Sequence, residues 1–339
     1  MGKNNFKKCF IIAEAGVNHN GSLDLAKKLV DAAKNTGADA IKFQIFKSED
    51  LVTKESKTAD YQKKNTGKNE TQLEMLKKLE LSSSDFKELK KYCDSKKIIF
   101  LSSPHTGDAI DFLDPLVKIY KIGSGDLNNL PFLARVAKKK KPIILSTGMS
   151  NLSEVLEAIK TIKKVGNKKI SLLHCTTSYP CDFKDVNLKA IETLKNKFNL
   201  PVGYSDHTLG LNVAIAAVAL GAEIVEKHIT LDKDMPGPDH KSSLEPDEFK
   251  KMVEGIRNIE IAMGDGVKKP TASEKSVKKF VRKSIVAKKD ILKGEIIRED
   301  VLAIKRPGTG IEPKYLSRII GKRAKRNIKE DELISWRNL

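Results

Sequence analysis

The 339-residue chain has little cysteine, few aromatic residues and no long apolar run. Its four cysteines, Cys9, Cys93, Cys175 and Cys181, include no Cys-x-x-Cys pair, which argues against a disulfide framework and against a structural zinc site. No stretch approaches the roughly 20 apolar residues of a membrane-spanning helix. We therefore expect a soluble, cytoplasmic protein without a membrane partner.

The scarcity of aromatic residues also bears on nucleic-acid binding. The net charge is +19, but aromatic residues make up only 6% of the chain and never interleave with a basic strip. Most of the basic residues are lysines spread along helical stretches such as AKKLVDAAK, where a solvated outer face is typical. The charge therefore suits an anionic small substrate, and no nucleic-acid partner is predicted. A steep salt dependence of RNA or DNA binding would favour the opposite interpretation.

What the chain does have is a regular alternation of short strands and helices. The apolar, β-branched runs are CFIIAEAG, AIKFQIF, IIFLSSP, VKIYKIGSG, PIILSTG, ISLLHCTT, PVGYSD and EIVEKHIT. Amphipathic or alanine-rich segments separate them, which predicts a (β/α)8 TIM barrel over residues 1–264. The long segment after the second run is predicted to be an insertion with one helix near the site. Residues 265–281 are polar and basic and predict a linker, and residues 282–339 predict a small β-rich domain.

Polar residues end each of the eight runs. Because the carboxyl ends of barrel strands form one rim that carries the active site, these residues are expected to converge there. They are Glu14, Lys42, Gln44, Ser102, Ser103, Lys121, Ser124, Ser146, Thr176, Thr177, Tyr179, Ser205, Asp206, His207 and His228.

Two kinds of chemistry are predicted at this rim. Lys42 and Lys121, with nearby hydroxyls and the glycine-containing turns GSG and STG, suit a phosphate and a carboxylate. His207 and His228 end adjacent strands and could hold one metal ion with open positions, as in a Lewis-acid site. Glu14 or Asp206 could complete a two-histidine, one-carboxylate set suited to iron.

The motifs AEAGVNHNGSLDLAKKL, IKFQ, YKIGSGD, STGM, HCTTSYP, GYSDHT and EKHITLDKDMPGPDH, and the tail RKSIVAKKDILKGEIIREDVLAIKRPGTGI, occur in order over nearly the whole chain. This set resembles the sialic acid synthase family, which includes N-acetylneuraminate, legionaminate and pseudaminate synthases. The resemblance implies a metal-dependent barrel followed by a small SAF (antifreeze-like, β-clip) domain. It also implies a transferase that condenses phosphoenolpyruvate with an open-chain N-acylmannosamine to a nine-carbon 2-keto acid and phosphate. The alternative substrate is a 2,4-diacetamido-trideoxyhexose, as for legionaminate or pseudaminate synthases.

The resemblance also implies residue roles. His207 and His228 would bind a divalent metal, Mn²⁺ or Mg²⁺, and Glu14 would lie close to the reacting atoms. Arg306 would reach the N-acyl group. Phosphoenolpyruvate would contact Lys42, Gln44, Lys121, Ser124, Ser146 and Ser205, and the sugar would contact Glu14, Tyr179 and Asp239.

The chain departs from the family pattern at three positions. Asp126, implied to bind the sugar, stands where glutamate is usual, and His105 stands where phenylalanine is common. Thr177, implied to bind the substrate, stands where some N-acetylneuraminate synthases have asparagine. These departures affect the identity of the sugar and leave the reaction class unchanged.

Three other functions compete with this interpretation. A Schiff-base aldolase would use Lys42 or Lys121 as the nucleophile without a metal, a polynucleotide-binding protein would use the net charge, and a non-catalytic module would resemble the ice-binding relatives of the tail. A further hypothesis concerns assembly. The predicted linker is long enough for each tail to cap the barrel of a partner, which predicts a domain-swapped homodimer in which Arg306 acts in trans.

Overall fold

The computed structural model describes residues 8–59, 62–63 and 70–339, and it divides into two compact units. The first unit ends at Asp265 and the second spans Gly266–Leu339. Part of the insertion predicted after the second strand lies outside the described residues.

The first unit is built around eight parallel strands. Their hydrogen-bonded order is β3-β2-β1-β8-β7-β6-β5-β4, and β3 also lies beside β4, so the sheet curves round on itself. This arrangement confirms the predicted (β/α)8 barrel. The strands are β1 Phe10–Gly16, β2 Ala40–Ile45, β3 Ile99–Pro104, β4 Tyr120–Ile122, β5 Ile143–Ser146, β6 Ile170–Cys175, β7 Val202–Asp206 and β8 Ile224–His228.

Helices surround these strands, and several of them begin with a side-chain cap. In α7, for example, Asn151 accepts hydrogen bonds from the backbone of Ser153 and Glu154, while the Glu154 carboxylate accepts one from the Asn151 backbone. The helices of this unit are α1 Leu23–Asn35, α2 Ser48–Leu51, α3 Gln72–Lys77, α4 Ser83–Ser95, α5 Gly107–Leu113, α6 Leu130–Lys138, α7 Leu152–Lys164, α8 Ala190–Phe198, α9 Asn212–Ala219 and α10 Pro246–Ala262. Two short helices, α2 and α3, thus lie in the described part of the insertion for which one helix was predicted.

The barrel interior has an apolar layer beneath a polar one. The apolar layer is a buried cluster of Ile12, Ala40, Leu101, Ile144, Leu173 and Ile224. Successive side chains of a strand point to opposite faces, so the residue two positions later on each strand points into the barrel as well. Those residues are Glu14, Lys42, Ser103, Ser146, Cys175 and Glu226. The period of two therefore places the polar strand ends together above an apolar floor.

The second unit has its own core. Strands β9 Ser284–Ala287 and β10 Leu302–Lys305 pair antiparallel, and isolated bridges such as Ile291 to Ile328 add further pairing. Helix α11 Ala272–Val281 lies in the segment predicted to be a linker, and α12 Leu316–Ile319 follows β10. No helix among the described residues is long and apolar enough to cross a membrane.

Candidate active site

A cavity of about 260 Å³ opens among the carboxyl ends of the barrel strands. Most of the residues predicted from the sequence line it together, even though they are up to 225 positions apart in the chain, from Glu14 to Asp239. The predicted residues in its lining are Glu14, Lys42, Gln44, Ser103, Lys121, Ser124, Ser146, Thr177, Tyr179, Ser205, His207, His228 and Asp239.

Four buried charged side chains form an alternating cluster at this cavity. Lys42 Nζ lies 3.0 Å from Glu14 Oε2 and 3.7 Å from Glu226 Oε2, and Lys121 Nζ lies 3.3 Å from Glu226 Oε1. All four residues are at most 4% exposed. Such charges are costly to bury unless each is paired, so every member depends on its neighbours. We call this set the charge cluster.

The pKa shifts in the charge cluster follow from burial and from these pairings. Burial raises the pKa of Glu14 even though Lys42 lies beside it. Burial also opposes ionisation of Glu226, but Lys121 and Lys42 outweigh it and hold the pKa of Glu226 at about 2. Burial lowers the pKa of Lys121, whereas Glu14 and Glu226 overcome burial and raise that of Lys42. Glu14 is thus the carboxyl group of the cluster that is shifted toward its protonated form.

Glu226 was not among the residues predicted to act at the site. Besides its two lysine partners it accepts a hydrogen bond from Ser205 Oγ at 3.1 Å. The alternation of side chains along a strand could have predicted this residue. Glu226 precedes His228 by two positions on β8, so both side chains point into the barrel.

Hydroxyls line the side of the cavity next to Lys121, and Gly148 packs against two of them. Lys121 Nζ donates to Ser146 Oγ at 2.8 Å, and the Gly148 backbone N–H donates to Ser124 Oγ at 3.0 Å. A Cβ at Gly148 would lie 2.4 Å from Thr177 Oγ1 and 2.8 Å from Ser124 Oγ, so only glycine fits this close approach. Ammonium and hydroxyl groups in this arrangement suit an anion with several oxygens.

Two imidazoles and a phenol ring lie together on the other side of the cavity. The ring centroids of His207 and His228 are 5.7 Å apart, and the Tyr179 ring lies 4.1 Å from that of His207. His207 Nδ1 donates to the Thr176 carbonyl oxygen at 2.7 Å, which leaves the lone pair on Nε2. Burial lowers the pKa of both histidines, that of His207 to about 4, so both rings are neutral near pH 7.

Neutral imidazoles with available lone pairs are metal ligands. His228 Nδ1 is buried and has no hydrogen-bond partner among the described residues. An imidazole nitrogen of this kind fits a ring that contacts a bound group. No group of three or more potential ligands suited to a metal ion occurs in the described residues. The pair therefore fits an ion that keeps open positions and does not fit a closed structural site.

Asp206 does not complete a metal site with these histidines. It lies between Ser205 and His207 on β7 and points to the opposite face, where Lys227 Nζ donates to its Oδ2 at 2.7 Å. Both side chains of this pair are fully buried. The alternative set that includes Asp206 is therefore wrong, because its carboxylate is committed to a buried ion pair behind the strands.

The other predicted residues that do not line the cavity are Ser102, Thr176, Asp126 and Arg306. Asp126 lies beside it, with Oδ2 at 3.6 Å from Nδ1 of His105, which is itself a lining residue. Asp126 therefore contacts a lining residue and does not line the cavity itself, because the turn after β4 directs its carboxylate at His105. Arg306 is exposed and belongs to the second unit.

Asp239 is a buried carboxyl group at the cavity that lies outside the eight strands. Burial and the nearby Glu14 raise its pKa to about 7. Its backbone oxygen accepts a hydrogen bond from Ser243 Oγ at 2.7 Å, which anchors the segment that carries it. A carboxyl group with this pKa can donate or accept a proton near neutral pH.

Comparisons with known proteins identify the family of this chain. The NeuB family model matches residues 29–268, and the SAF domain model matches residues 282–339. The N,N'-diacetyllegionaminic acid synthase of Campylobacter jejuni is 54% identical over 97% of this chain and 99% of its own length. That of Legionella pneumophila is 49% identical over 98% of this chain and 94% of its own length.

A solved structure is similar over most of the chain. The N-acetylneuraminic acid synthetase of Leptospira borgpetersenii is 36% identical, with a TM-score of 0.71, over 82% of this chain and 94% of its own. The fold and site thus define an enzyme, a transferase of the carbon–carbon bond-forming sialic acid synthase type. The chain belongs to the NeuB family and carries a C-terminal SAF domain, as its sequence motifs predicted.

The raised pKa of Asp239 predicts a pH-dependent contribution to stability. Between the unfolded value near 3.8 and the folded value of about 7, the folded state binds the proton more strongly. This stabilisation is therefore full below the unfolded pKa and is lost as pH rises through 7. From pH 5.5 to 8 the wild type should lose about 2 kcal/mol of unfolding free energy relative to Asp239→Asn. Urea denaturation of both proteins at the two pH values measures this difference, and equal changes would contradict the assignment.

Proposed function

We propose that this enzyme condenses phosphoenolpyruvate with an open-chain 2,4-diacetamido-2,4,6-trideoxyhexose to give a nine-carbon 2-keto sugar acid and phosphate. The observation that carries the reaction is the charge cluster beside the neutral imidazole pair in one cavity. The preference for the diacetamido sugar over an N-acylmannosamine is supported by the two diacetyllegionaminic acid synthases, which are 54% and 49% identical over nearly the whole chain.

The lysines account for binding of phosphoenolpyruvate. Its carboxylate and phosphate need cations, and Lys42 and Lys121 lie at the cavity, paired with Glu14 and Glu226. An arriving anion competes with these carboxylates for the ammonium groups. Glu14 competes least for its lysine partner, because burial raises its pKa and protonation removes its negative charge.

Glu14 is placed for the proton transfers of the reaction. On the barrel wall it is in register with Lys42 on one side and with His228 on the other. Carbon 3 of phosphoenolpyruvate attacks the aldehyde carbon, water adds at carbon 2, and phosphate departs with cleavage of its carbon–oxygen bond. We assign to Glu14 the proton exchange with the oxygens that change charge in these steps, with Asp239 as its buried neighbour.

His207 and His228 would hold a divalent cation, Mn²⁺ or Mg²⁺. Such an ion supplies Lewis-acid polarisation of the aldehyde oxygen when it is bound. The protein's part is to keep both rings neutral by burial and to fix the His207 tautomer through the Thr176 carbonyl.

A homodimer in which the tail domain caps a partner's cavity, with Arg306 at the N-acyl group, stays a prediction of the family resemblance. Cytoplasmic location stays a prediction of the composition. Asp126 is proposed to act on the sugar through His105, which lies between it and the cavity.

The substrate assignment predicts a clear preference in an assay with manganese. Phosphate release and product mass are followed with phosphoenolpyruvate and either the diacetamido sugar or N-acetylmannosamine. We expect kcat/KM to be higher for the diacetamido sugar by about ten-fold or more, the usual discrimination from one or two added apolar groups. A higher value for N-acetylmannosamine would contradict the choice of sugar. Full activity in excess EDTA, with borohydride trapping of Lys42 or Lys121, would instead support a Schiff-base aldolase.

The metal assignment predicts loss of Mn²⁺ binding on removal of either imidazole. His207→Ala and His228→Ala should each weaken Mn²⁺ binding, measured by electron paramagnetic resonance of the free ion, by about 10-fold or more. His174→Ala is the matched control, because His174 bonds to the Val186 carbonyl and does not line the cavity. Wild-type Mn²⁺ affinity in both cavity variants would contradict the assignment.

A further inference from the structure

One side of the active-site cavity is apolar, in contrast to the charge cluster. It is formed by Val17, Met75, Leu76 and Leu79, which we call the apolar wall. Each of these residues is at most 9% exposed, and they pack with Phe46 in a separate small cluster apart from the main barrel core. These four residues line the cavity, and the proposed function gives them no role.

The apolar wall comes mainly from the insertion after β2. Met75, Leu76 and Leu79 follow one another at helical spacing in α3 and the turn after it, so they lie on one face. The segment is fixed at both ends. A capping box between Thr71 and Glu74 begins α3, and Glu80 accepts a hydrogen bond from the Ser48 backbone at 2.7 Å. The wall is therefore a positioned surface.

Its place relative to the reacting groups follows from the strands. Val17 directly follows β1, three residues after Glu14, and so lies beyond the charge cluster on the open side of the barrel. Phosphoenolpyruvate is assigned to the charge cluster and the aldehyde end of the sugar to the imidazoles. The part of the cavity left for the rest of the sugar is bordered by the apolar wall.

The chemistry of the wall distinguishes the two candidate sugars. N-acetylmannosamine carries hydroxyls at carbons 4 and 6, and burying a hydroxyl against apolar side chains without a partner is unfavourable. The 2,4-diacetamido-2,4,6-trideoxyhexose instead carries an acetamido methyl at carbon 4 and a methyl at carbon 6. These groups gain from leaving water, in proportion to the apolar area buried.

We propose that the apolar wall binds the methyl groups of the 4-acetamido and 6-deoxy positions and thereby selects the diacetamido sugar. This inference rests on the proposed function and assigns its specificity to Met75, Leu76 and Leu79. Met75, Leu76 and Leu79 come from α3 and the turn after it, whereas the charge cluster comes from β1, β2, β4 and β8. We therefore expect polar variants of the wall to leave the use of phosphoenolpyruvate intact.

The test measures the ratio of kcat/KM for the diacetamido sugar to that for N-acetylmannosamine. Met75→Gln and Leu79→Asn replace wall residues by polar side chains of similar size. Each should lower the ratio about ten-fold, which corresponds to about 1.4 kcal/mol, while KM for phosphoenolpyruvate stays within two-fold of the wild-type value. Met75→Leu, which keeps the surface apolar, should retain the wild-type ratio.

Leu51→Asn is the matched control. Leu51 packs against the same small cluster but does not line the cavity, so its replacement disturbs the cluster without changing the lining. Its ratio should stay within two-fold of the wild type, and thermal unfolding of each variant reports whether it is folded. If the wild type prefers the diacetamido sugar and both polar variants keep its ratio, the wall inference is wrong and the proposed function stands. If the wild type does not use the diacetamido sugar, the proposed function itself fails.

Discussion

The arrangement of the active site depends on the pairing of four charges buried inside the barrel. Glu14, Lys42, Glu226 and Lys121 alternate in sign, and neighbouring members lie 3.0–3.7 Å apart. Removal of any one would leave an uncompensated charge in a water-poor interior, which typically destabilises a protein by about 3–5 kcal/mol. The cluster therefore holds together strands that are far apart in sequence. It also places both lysine side chains of the cluster at the cavity, where the proposed function assigns them to phosphoenolpyruvate.

A second buried ion pair lies on the face of the strands that points away from the cavity. Asp206 and Lys227 lie next to the site residues in sequence but point behind the strands, where the Asp206 carboxylate also accepts from the Thr208 backbone at 2.9 Å. Their neighbours Ser205, His207 and His228 face the cavity. Adjacent residues on β7 and β8 thus serve opposite faces of the sheet. Asp206 and Lys227 form the ion pair behind the strands, and their neighbours line the cavity.

Much of this could be predicted from the sequence because barrel strands have a period of two and a shared functional rim. Eight apolar runs with polar ends predicted the barrel, and most of the predicted site residues line one cavity. The same period would have placed Glu226 in the site, because it lies two positions before the inward-facing His228. It would have excluded Asp206, because it directly follows the inward-facing Ser205. Strand-end position alone could not do this, because it does not say which face a residue takes. The direction of Asp126 toward His105, and the apolar wall from α3, depend on turn and insertion geometry that carries no such period.

Binding of phosphoenolpyruvate by the charge cluster is tested most directly by isothermal titration calorimetry. Phosphoenolpyruvate is titrated into the wild type and into Lys121→Met in the presence of Mn²⁺. Lys141→Met serves as control, because Lys141 pairs with Asp114 at 2.8 Å and does not line the cavity. Loss of one charge-assisted contact should weaken binding about 10- to 150-fold in Lys121→Met and leave the control unchanged. Equal affinity in all three proteins would contradict the account.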